Sequence, residues 1–245
     1  MKKYLLLLTF LSVIGNAQIV RKYSNEFLNI GAGARGLAMG GAVISNQNDV
    51  YAPMWNPAGL TEVESDWQGA AMHAEYFESI AKYDYISFAK ALDSKDGVLG
   101  ISIVRLGVDN ILNTTQMIDS EGNIDYDKIS KFSTSDYAGI ISYAFRPGGN
   151  QKLSVGINAK IVYRNIGKFA NGFGFGFDAG AIYRADSGYQ FGAMLRDATT
   201  TVNFWSINQK ELSTVVNGEE FNPAPKDKME ITMPKLNLGV SKNFE

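Results

Sequence analysis

Long runs of alternating apolar and polar residues restrict how this chain can fold more than any other feature. The stretch 152–164, KLSVGINAKIVYR, has an apolar residue at every second position and mostly polar residues between them. The stretch 172–184, GFGFGFDAGAIYR, repeats the alternation with glycine on the polar side. A period of two predicts β-strands with two unlike faces. Runs of this length exceed the roughly 5–6 residues of a typical strand and suit a tilted bilayer crossing of about 9–11 residues.

Weaker alternation predicts six more strands, which brings the total to about eight. These segments are residues 67–76, 83–92, 98–106, 136–146, 189–196 and 230–244. Short turns with Pro, Gly, Asn and Asp are predicted at 146–151 and 184–190, and long polar loops at 108–135 and 198–228. Tight turns combined with long loops are typical of membrane barrels. We therefore predict an all-β fold, a transmembrane antiparallel β-barrel.

The cost of charge in lipid predicts which face points inward. A Lys or Arg turned towards lipid at the bilayer midplane costs about 2–4 kcal/mol. The charged residues of the strands are therefore expected in the lumen or at its rim: Lys160, Arg164, Asp178, Arg184 and Arg196. Aromatic residues near strand ends are expected in the interfacial girdles: Tyr143, Phe145, Tyr163, Tyr183 and Tyr189. A secreted β-sandwich is the alternative, which the strand length and the glycine-rich polar face disfavour.

The first 17 residues predict export. Lys2 and Lys3 precede an apolar run over 4–14, and small or polar residues follow up to Ala17, which is the pattern of a cleaved signal peptide. The chain contains no cysteine, so neither a disulfide nor a lipid-anchored cysteine is expected. A net charge of −2 gives no sign of nucleic-acid binding. Together with the strands, export predicts a location in the outer membrane.

Residues 18–66 do not alternate and are expected to form short helical turns that plug the base of the barrel. The segment contains G-x-G-x-x-G at Gly31, Gly33 and Gly36, a spacing found in dinucleotide-binding loops. A dinucleotide site also needs a strand–helix–strand unit around the glycines, and none follows here. The glycines are therefore expected to serve tight turns and close packing, with Arg35 paired to a carboxylate of the lumen or rim.

Two blocks of this segment resemble a known family. ARGLAMGGA at 34–42 and WNPAGL at 55–60 resemble the PorV/PorQ family of FadL-like outer-membrane barrels, and the similarity covers residues 27–60. The first block differs from PorV proper, which has an Asp before Ala-Arg and lacks the Gly-Gly pair, so a paralogue with another client fits equally. The motif residues are Arg35, Gly36, Gly40, Gly41, Trp55, Asn56, Pro57 and Gly59.

The resemblance implies a barrel of 14 strands in the full protein, so residues 67–245 would be a C-terminally truncated barrel. Phe244 being penultimate rather than last agrees with that expectation. The resemblance also implies a role in type IX secretion. The protein would contact outer-membrane lipid and would bind a cargo's C-terminal signal domain, the translocon or another secretion or gliding component. It implies no cofactor.

Two non-enzymatic functions follow. For binding a polypeptide, the predicted loop 198–228 offers the aromatic anchors Phe204, Trp205 and Phe221. The alternative is a FadL-like channel for hydrophobic small molecules, which needs an apolar lumen, whereas the predicted lumen residues are polar.

The sequence offers no residues for catalysis or metal binding. His73 is the one histidine and has no recognisable Ser or Asn partner, so it is expected at the rim or in the lumen, and no enzymatic activity is expected. The acidic stretch 119–127, DSEGNIDYD, lacks the spacing of a calcium loop and is expected to be solvated. Neither a metal nor a cofactor is predicted.

Overall fold

The computed structural model describes residues 24–92, 97–216, 218–223, 225 and 228–242. The predicted signal peptide 1–17, residues 18–23 of the predicted plug and Phe244 lie outside the described residues. Among the described residues, no helix is both long and apolar enough to cross a membrane.

Antiparallel strands make up most of the described chain, which confirms the predicted all-β class. The strands are β1 Trp67–Tyr76, β2 Ala81–Ala91, β3 Val98–Asn113, β4 Ser130–Phe145, β5 Leu153–Ile166, β6 Ala170–Arg184, β7 Tyr189–Arg196, β8 Thr201–Ile207, β9 Thr214–Val216, β10 Glu219–Phe221, β11 Met229–Thr232 and β12 Lys235–Lys242. In the main sheet, β1 to β7 are hydrogen-bonded in chain order and β12 follows β7. β8 pairs with β6 and β11, while β9 and β10 form a separate hairpin.

Two positions in the strand order of the main sheet are each occupied by two shorter strands that lie end to end. Each position in that order, whether one strand or two, is called a passage. β7 and β8 lie end to end along β6, where Leu195 is opposite Ala179 and Val202 is opposite Phe175. β12 and β11 lie in the same way along β7 and β8. The sheet therefore has eight passages, in agreement with the predicted number of about eight strands.

The prediction of a polar loop over 198–228 is wrong for its first part, because β8 lies within it. Asp197 and Thr200 have left-handed backbone conformations, with φ of 54° and 64°, and interrupt the passage only briefly. After this break the chain returns to pair with β6, so long-range pairing overrides the polar composition. Phe204 and Trp205 consequently lie in a strand and not in a loop.

Two other predicted boundaries also change. Ile111–Asn113 pair with Ser130–Phe132 beyond a bulge at 108–111, so the predicted loop 108–135 shortens to residues 114–129. The predicted strand 230–244 is divided between β11 and β12 at Pro234, which has no N–H to donate to the ladder.

The connections differ between the two ends of the sheet. Short connections at 146–152 and 185–188 define the turn end, and the long connections 114–129 and 208–228 define the loop end. The hairpin 77–80 also lies at the loop end. No ladder joins β1 to β11 or β12 among the described residues, so the described sheet has two free edges.

The two faces of the sheet also differ. On β5, Ile157 and Ile161 are exposed on the outer face, whereas Asn158 and Lys160 are buried on the inner face. The N-terminal segment, residues 24–66, covers the inner face, which is why polar residues are the buried ones. It contains 3₁₀ turns at Glu26–Asn29 and Pro57–Glu62 and the short helices α1 (Ala34–Ala38) and α2 (Ala52–Trp55).

Candidate functional site

The two motif blocks meet at the indole of Trp55. A β-carbon built on Gly31, Gly36 or Gly41 would lie 2.4, 2.7 or 3.1 Å from the nearest indole atom. The indole Nε1 donates a hydrogen bond of 2.7 Å to the carbonyl of Ala32. The first and third glycines of the G-x-G-x-x-G spacing therefore make room for the indole, whereas Gly40 has open space around it and a φ of 60°.

Asn56 joins the N-terminal segment to the wall of the sheet. Its side chain is fully buried, and Nδ2 lies 2.8 Å from the carbonyl of Ile44, 3.2 Å from that of Ala181 and 3.3 Å from that of Ala193. Its Oδ1 accepts from the backbone N–H of Ala58, which begins the 3₁₀ turn that starts at Pro57. Asn56 thus connects two parts of the segment to β6 and β7.

Glycines on the inner face receive the N-terminal segment. A β-carbon on Gly156 would lie 2.5 Å from Ala58 N, and one on Gly192 would lie 2.4 Å from the carbonyl oxygen of Ile44. A β-carbon on Gly180 would lie 2.1 Å from the Oδ1 of Asn56. Within the segment, a β-carbon on Gly59 would lie 2.3 Å from the carbonyl oxygen of Gln47. The sequence signal for these contacts is the glycine on the polar side of the alternation, but the pattern does not indicate that the plug packs there.

Lys160 lies between two buried carboxylates. Its Nζ is 2.6 Å from Asp178 Oδ1 and 2.6 Å from Asp197 Oδ1, and all three side chains are at most 7% exposed. Asn158 donates to Asp178 at 3.0 Å and to the carbonyl of Pro53 at 2.9 Å, which connects this ion cluster to the N-terminal segment. Sequence reasoning predicted Lys160 and Asp178 as lumen residues but did not single out Asp197.

The three predicted arginines also lie on the inner face. Arg196 donates to the carbonyls of Leu28 and Met54. Arg184 lies 2.7 Å from Glu62 at the turn end, where Arg146 binds the same carboxylate.

Arg164 lies at the loop end, beside the ring of Trp205. Its Nε donates to Asp136 at 2.9 Å, and its guanidinium is 5.2 Å from the centroid of that ring.

Two expectations from the sequence are wrong. Arg35 is exposed and donates to the carbonyl of Asn46 and the side chain of Asn48, so it binds no carboxylate among the described residues. His73 lies on the outer face and not in the lumen, because it shares the alternation phase of Trp67 on β1.

The inner face is closely packed around Lys160. The cavity beside Lys160, lined also by Leu28, Pro53 and Met54, has a volume of about 10 Å³. That volume is about what one water molecule needs, so this part of the inner face has no space for a larger ligand.

An apolar pocket opens at the loop end. Its volume is about 370 Å³, and its lining residues are Ile166, Phe169, Ala170, Trp205, Ile207, Leu212, Pro225 and Glu230. Leu212 belongs to the short helix α3 (Gln209–Leu212). The Nε1 of Trp205 is buried and has no acceptor among the described residues.

The three predicted partner residues lie at three different places in the structure. Trp205 lines the pocket, Phe204 is 53% exposed on the outer face, and Phe221 is 50% exposed on the β9–β10 hairpin. Phe204 and Trp205 separate because neighbouring residues of a strand point to opposite faces.

The acidic stretch 119–127 is organised by its own side chains. Asp119 accepts hydrogen bonds from the backbone N–H groups of Glu121 and Asn123 and from the Asn123 side chain. The side-chain hydrogen bond from Asn123 is the main cause that lowers the pKa of Asp119. Within the described residues, no group of three or more His, Cys, Asp or Glu is arranged to hold a metal ion.

No protein-family model matches this chain, and no curated protein matches it either.

Proposed function

We propose that this protein is an outer-membrane β-barrel protein that docks another polypeptide at its loop end. The polypeptide is the C-terminal signal domain of an exported protein or a component of a type IX secretion or gliding system, as the PorV/PorQ resemblance implies. The observation that carries the membrane location is the apolar outer face. The close packing of the inner face around Lys160 and the pocket at the loop end support docking.

The length of the apolar outer face fits a bilayer. On β5, every outward residue from Leu153 to Tyr163 is apolar, and on β6 every outward residue from Phe173 to Tyr183 is apolar. Ten steps of about 3.3 Å, tilted by about 40°, give a height of about 25 Å. The lipid-facing band of outer-membrane barrels has about this height.

Aromatic residues lie near both ends of this apolar face. Tyr137 and Tyr163 are neighbours near the loop end, with ring centroids 6.5 Å apart. Tyr189 and Phe191 are neighbours near the turn end, with centroids 6.4 Å apart. Aromatic girdles at both interfaces are typical of membrane barrels, so these rings support a band that runs between them.

Closure of the sheet is part of the proposal. In lipid, each unpaired backbone N–H or C=O costs several kcal/mol, and open sheet edges therefore do not face hydrocarbon. β12 has Leu236, Leu238 and Val240 more than 60% exposed on its outer face, so its edge would lie in the apolar band. In the membrane, other strands must therefore pair with the edges of β1 and β12.

The packing of the inner face supports docking of a polypeptide at the loop end more than conduction of small molecules through the interior. The N-terminal segment packs on the inner face, and the cavity beside Lys160 is no larger than about one water molecule. The apolar pocket opens only at the loop end, and aromatic residues such as Trp205 are frequent anchors in protein interfaces.

One observation favours a second candidate, a binding protein for hydrophobic small molecules. The pocket of about 370 Å³ is within the size range of small-molecule sites and is lined mainly by apolar side chains. A fatty acyl chain could enter it without a channel through the interior.

The test compares two neighbouring substitutions on β8. The full chain is reconstituted in lipid nanodiscs, and binding of a cargo C-terminal signal domain and of a fluorescent fatty acid is titrated separately. Trp205→Ala removes a ring of the pocket, whereas Phe204→Ala removes a ring of the outer face. We expect Trp205→Ala to weaken signal-domain binding by about tenfold or more, as for an interface anchor, and Phe204→Ala to leave it unchanged. Saturable fatty-acid binding without signal-domain binding would favour the second candidate.

A further inference from the structure

Six charged side chains lie together on the outer face of β1, β2 and β3. The six, called the charged strip, are His73, Glu75, Lys82, Asp84, Arg105 and Asp109. Their side chains are between 30% and 52% exposed. They lie on the same face of the sheet as the apolar residues of β5 and β6.

Two rows of ion pairs form the charged strip. In the first row, Asp84 lies 2.6 Å from Nδ1 of His73 and 2.9 Å from Nη1 of Arg105. In the second row, Lys82 lies directly opposite Glu75 in the register and 3.0 Å from Asp109. Basic and acidic groups therefore alternate along each row and between the rows.

The charged strip extends from the aromatic residues near the loop end, where Arg105 donates to the hydroxyl of Tyr137 at 3.4 Å, down into the height of the apolar face. Trp67 is 65% exposed at the turn end of β1, opposite Lys90, as expected of an aromatic residue at an interface. His73 follows Trp67 by about six residues, which at about 3.3 Å each and a tilt of about 40° places it about 15 Å above that interface. This height is well inside a band of about 25 Å.

The apolar part of this wall is correspondingly short. On β3, the outward apolar residues are Leu99, Ile101 and Ile103, and Arg105 follows at once. On β5, the outward residues remain apolar from Leu153 to Tyr163. Lipid chains can therefore cover β5 over the full band but can cover β3 over only about half of it, because charge on a lipid-facing position is unfavourable.

The alternating charges also indicate what covers the strip. With His73 neutral, the strip has three carboxylates and two cations, so it does not attract the phosphates of lipid headgroups. A surface of mixed charge is complementary to another surface of mixed charge, which a protein supplies.

We propose that the charged strip is the contact surface for a second, different integral membrane protein, whose own polar side chains meet it inside the lipid band. This inference rests on the membrane location proposed above and concerns a wall of the sheet that is separate from the loop-end pocket.

Photo-crosslinking in the intact outer membrane tests this proposal. A benzophenone amino acid replaces Ala71, which is exposed on β1 between the apolar residues and His73. The matched control has the same probe at Ala159, exposed on the outer face of β5. We expect a covalent adduct with an integral membrane protein from position 71 and lipid adducts from position 159. Arg105→Glu should lower the yield of the protein adduct by about tenfold through like-charge repulsion, and Arg105→Lys should preserve it.

The possible outcomes distinguish a failure of the proposed contact surface from a failure of the proposed membrane location. Lipid adducts alone from position 71, or an adduct between two copies of this chain, would overturn the contact surface while the lipid adducts from position 159 uphold the membrane location. A protein adduct that Arg105→Glu does not weaken would also overturn it. Absence of lipid adducts from position 159 would contradict the membrane location itself.

Discussion

The indole of Trp55 lies so close to the α-carbon of Gly36 that a β-carbon at Gly36 would be 2.7 Å from its nearest atom. This contact joins the ARGLAMGGA and WNPAGL blocks, which are separate in the sequence. It gives the two blocks a shared physical requirement, since the glycines are needed where the tryptophan packs.

The first prediction concerns this contact. Gly36→Ala should lower the free energy of unfolding by about 1–3 kcal/mol, because the added methyl group overpacks the site, although alanine is the better helix former. Gly139→Ala is the control, since a β-carbon there meets nothing within 4 Å, and it should change stability by less than about 0.5 kcal/mol. Urea unfolding of the reconstituted protein measures both. Equal effects of the two variants would contradict the steric explanation.

The second prediction concerns the contact between the N-terminal segment and the inner face of the sheet. Gly180→Val should displace the segment, because even a β-carbon at Gly180 would lie 2.1 Å from the Oδ1 of Asn56. Hydrogen exchange should then show loss of protection in residues 24–66 and retained protection in β1 to β6. Gly139→Val is the control at an open position of the same sheet. Unchanged protection of the segment would show that it does not depend on this contact.

The third prediction concerns the buried ion cluster. Lys160→Met should destabilise the protein by about 3–5 kcal/mol, because two buried carboxylates lose their cation. The triple variant Lys160→Met, Asp178→Asn, Asp197→Asn should recover much of that loss, since it removes the uncompensated charge. Urea unfolding at neutral pH compares the two. A triple variant that is less stable than Lys160→Met would argue against charge burial as the cause.

The fourth prediction contrasts two arginines. Arg196→Ala should cost about 1–3 kcal/mol, because the carbonyls of Leu28 and Met54 lose a charged donor. Arg35→Ala should cost less than about 0.5 kcal/mol, because Arg35 is exposed. Thermal unfolding in lipid, followed by circular dichroism, ranks the two variants. The opposite ranking would mean that Arg35 has a partner outside the described residues.

Strand positions were predicted well, because strand structure is a local property of the pattern. β1 and β7 begin and end at the predicted residues, 67–76 and 189–196. The errors lie where pairing over a distance decides the structure. Thr201–Ile207 has no strong alternation of its own and becomes a strand through its ladder with β6. Pro234 divides the last passage because it cannot donate to the ladder.

Less of the candidate site than of the fold could be predicted from the sequence. The motif residues can be identified from the sequence, but the sequence predicts a carboxylate partner for Arg35 and a place at the rim or in the lumen for His73. It also predicts a common loop for Phe204 and Trp205, although neighbouring residues of a strand point to opposite faces. The pocket at the loop end needs β5, β6, β8 and α3 together, so no single stretch of sequence could indicate it.

The sequence by itself determined the strands, their turns and the sets of residues that share a face, since these follow from local backbone geometry with a period of two. Only the tertiary structure decided what covers each face. Asn56 binds the carbonyl of Ala181, 125 residues later. The inner-face glycines that contact the N-terminal segment come together only once distant strands have paired. Such contacts depend on complementary shape and hydrogen bonding between remote segments, and the residue pattern along the chain does not encode which segments meet.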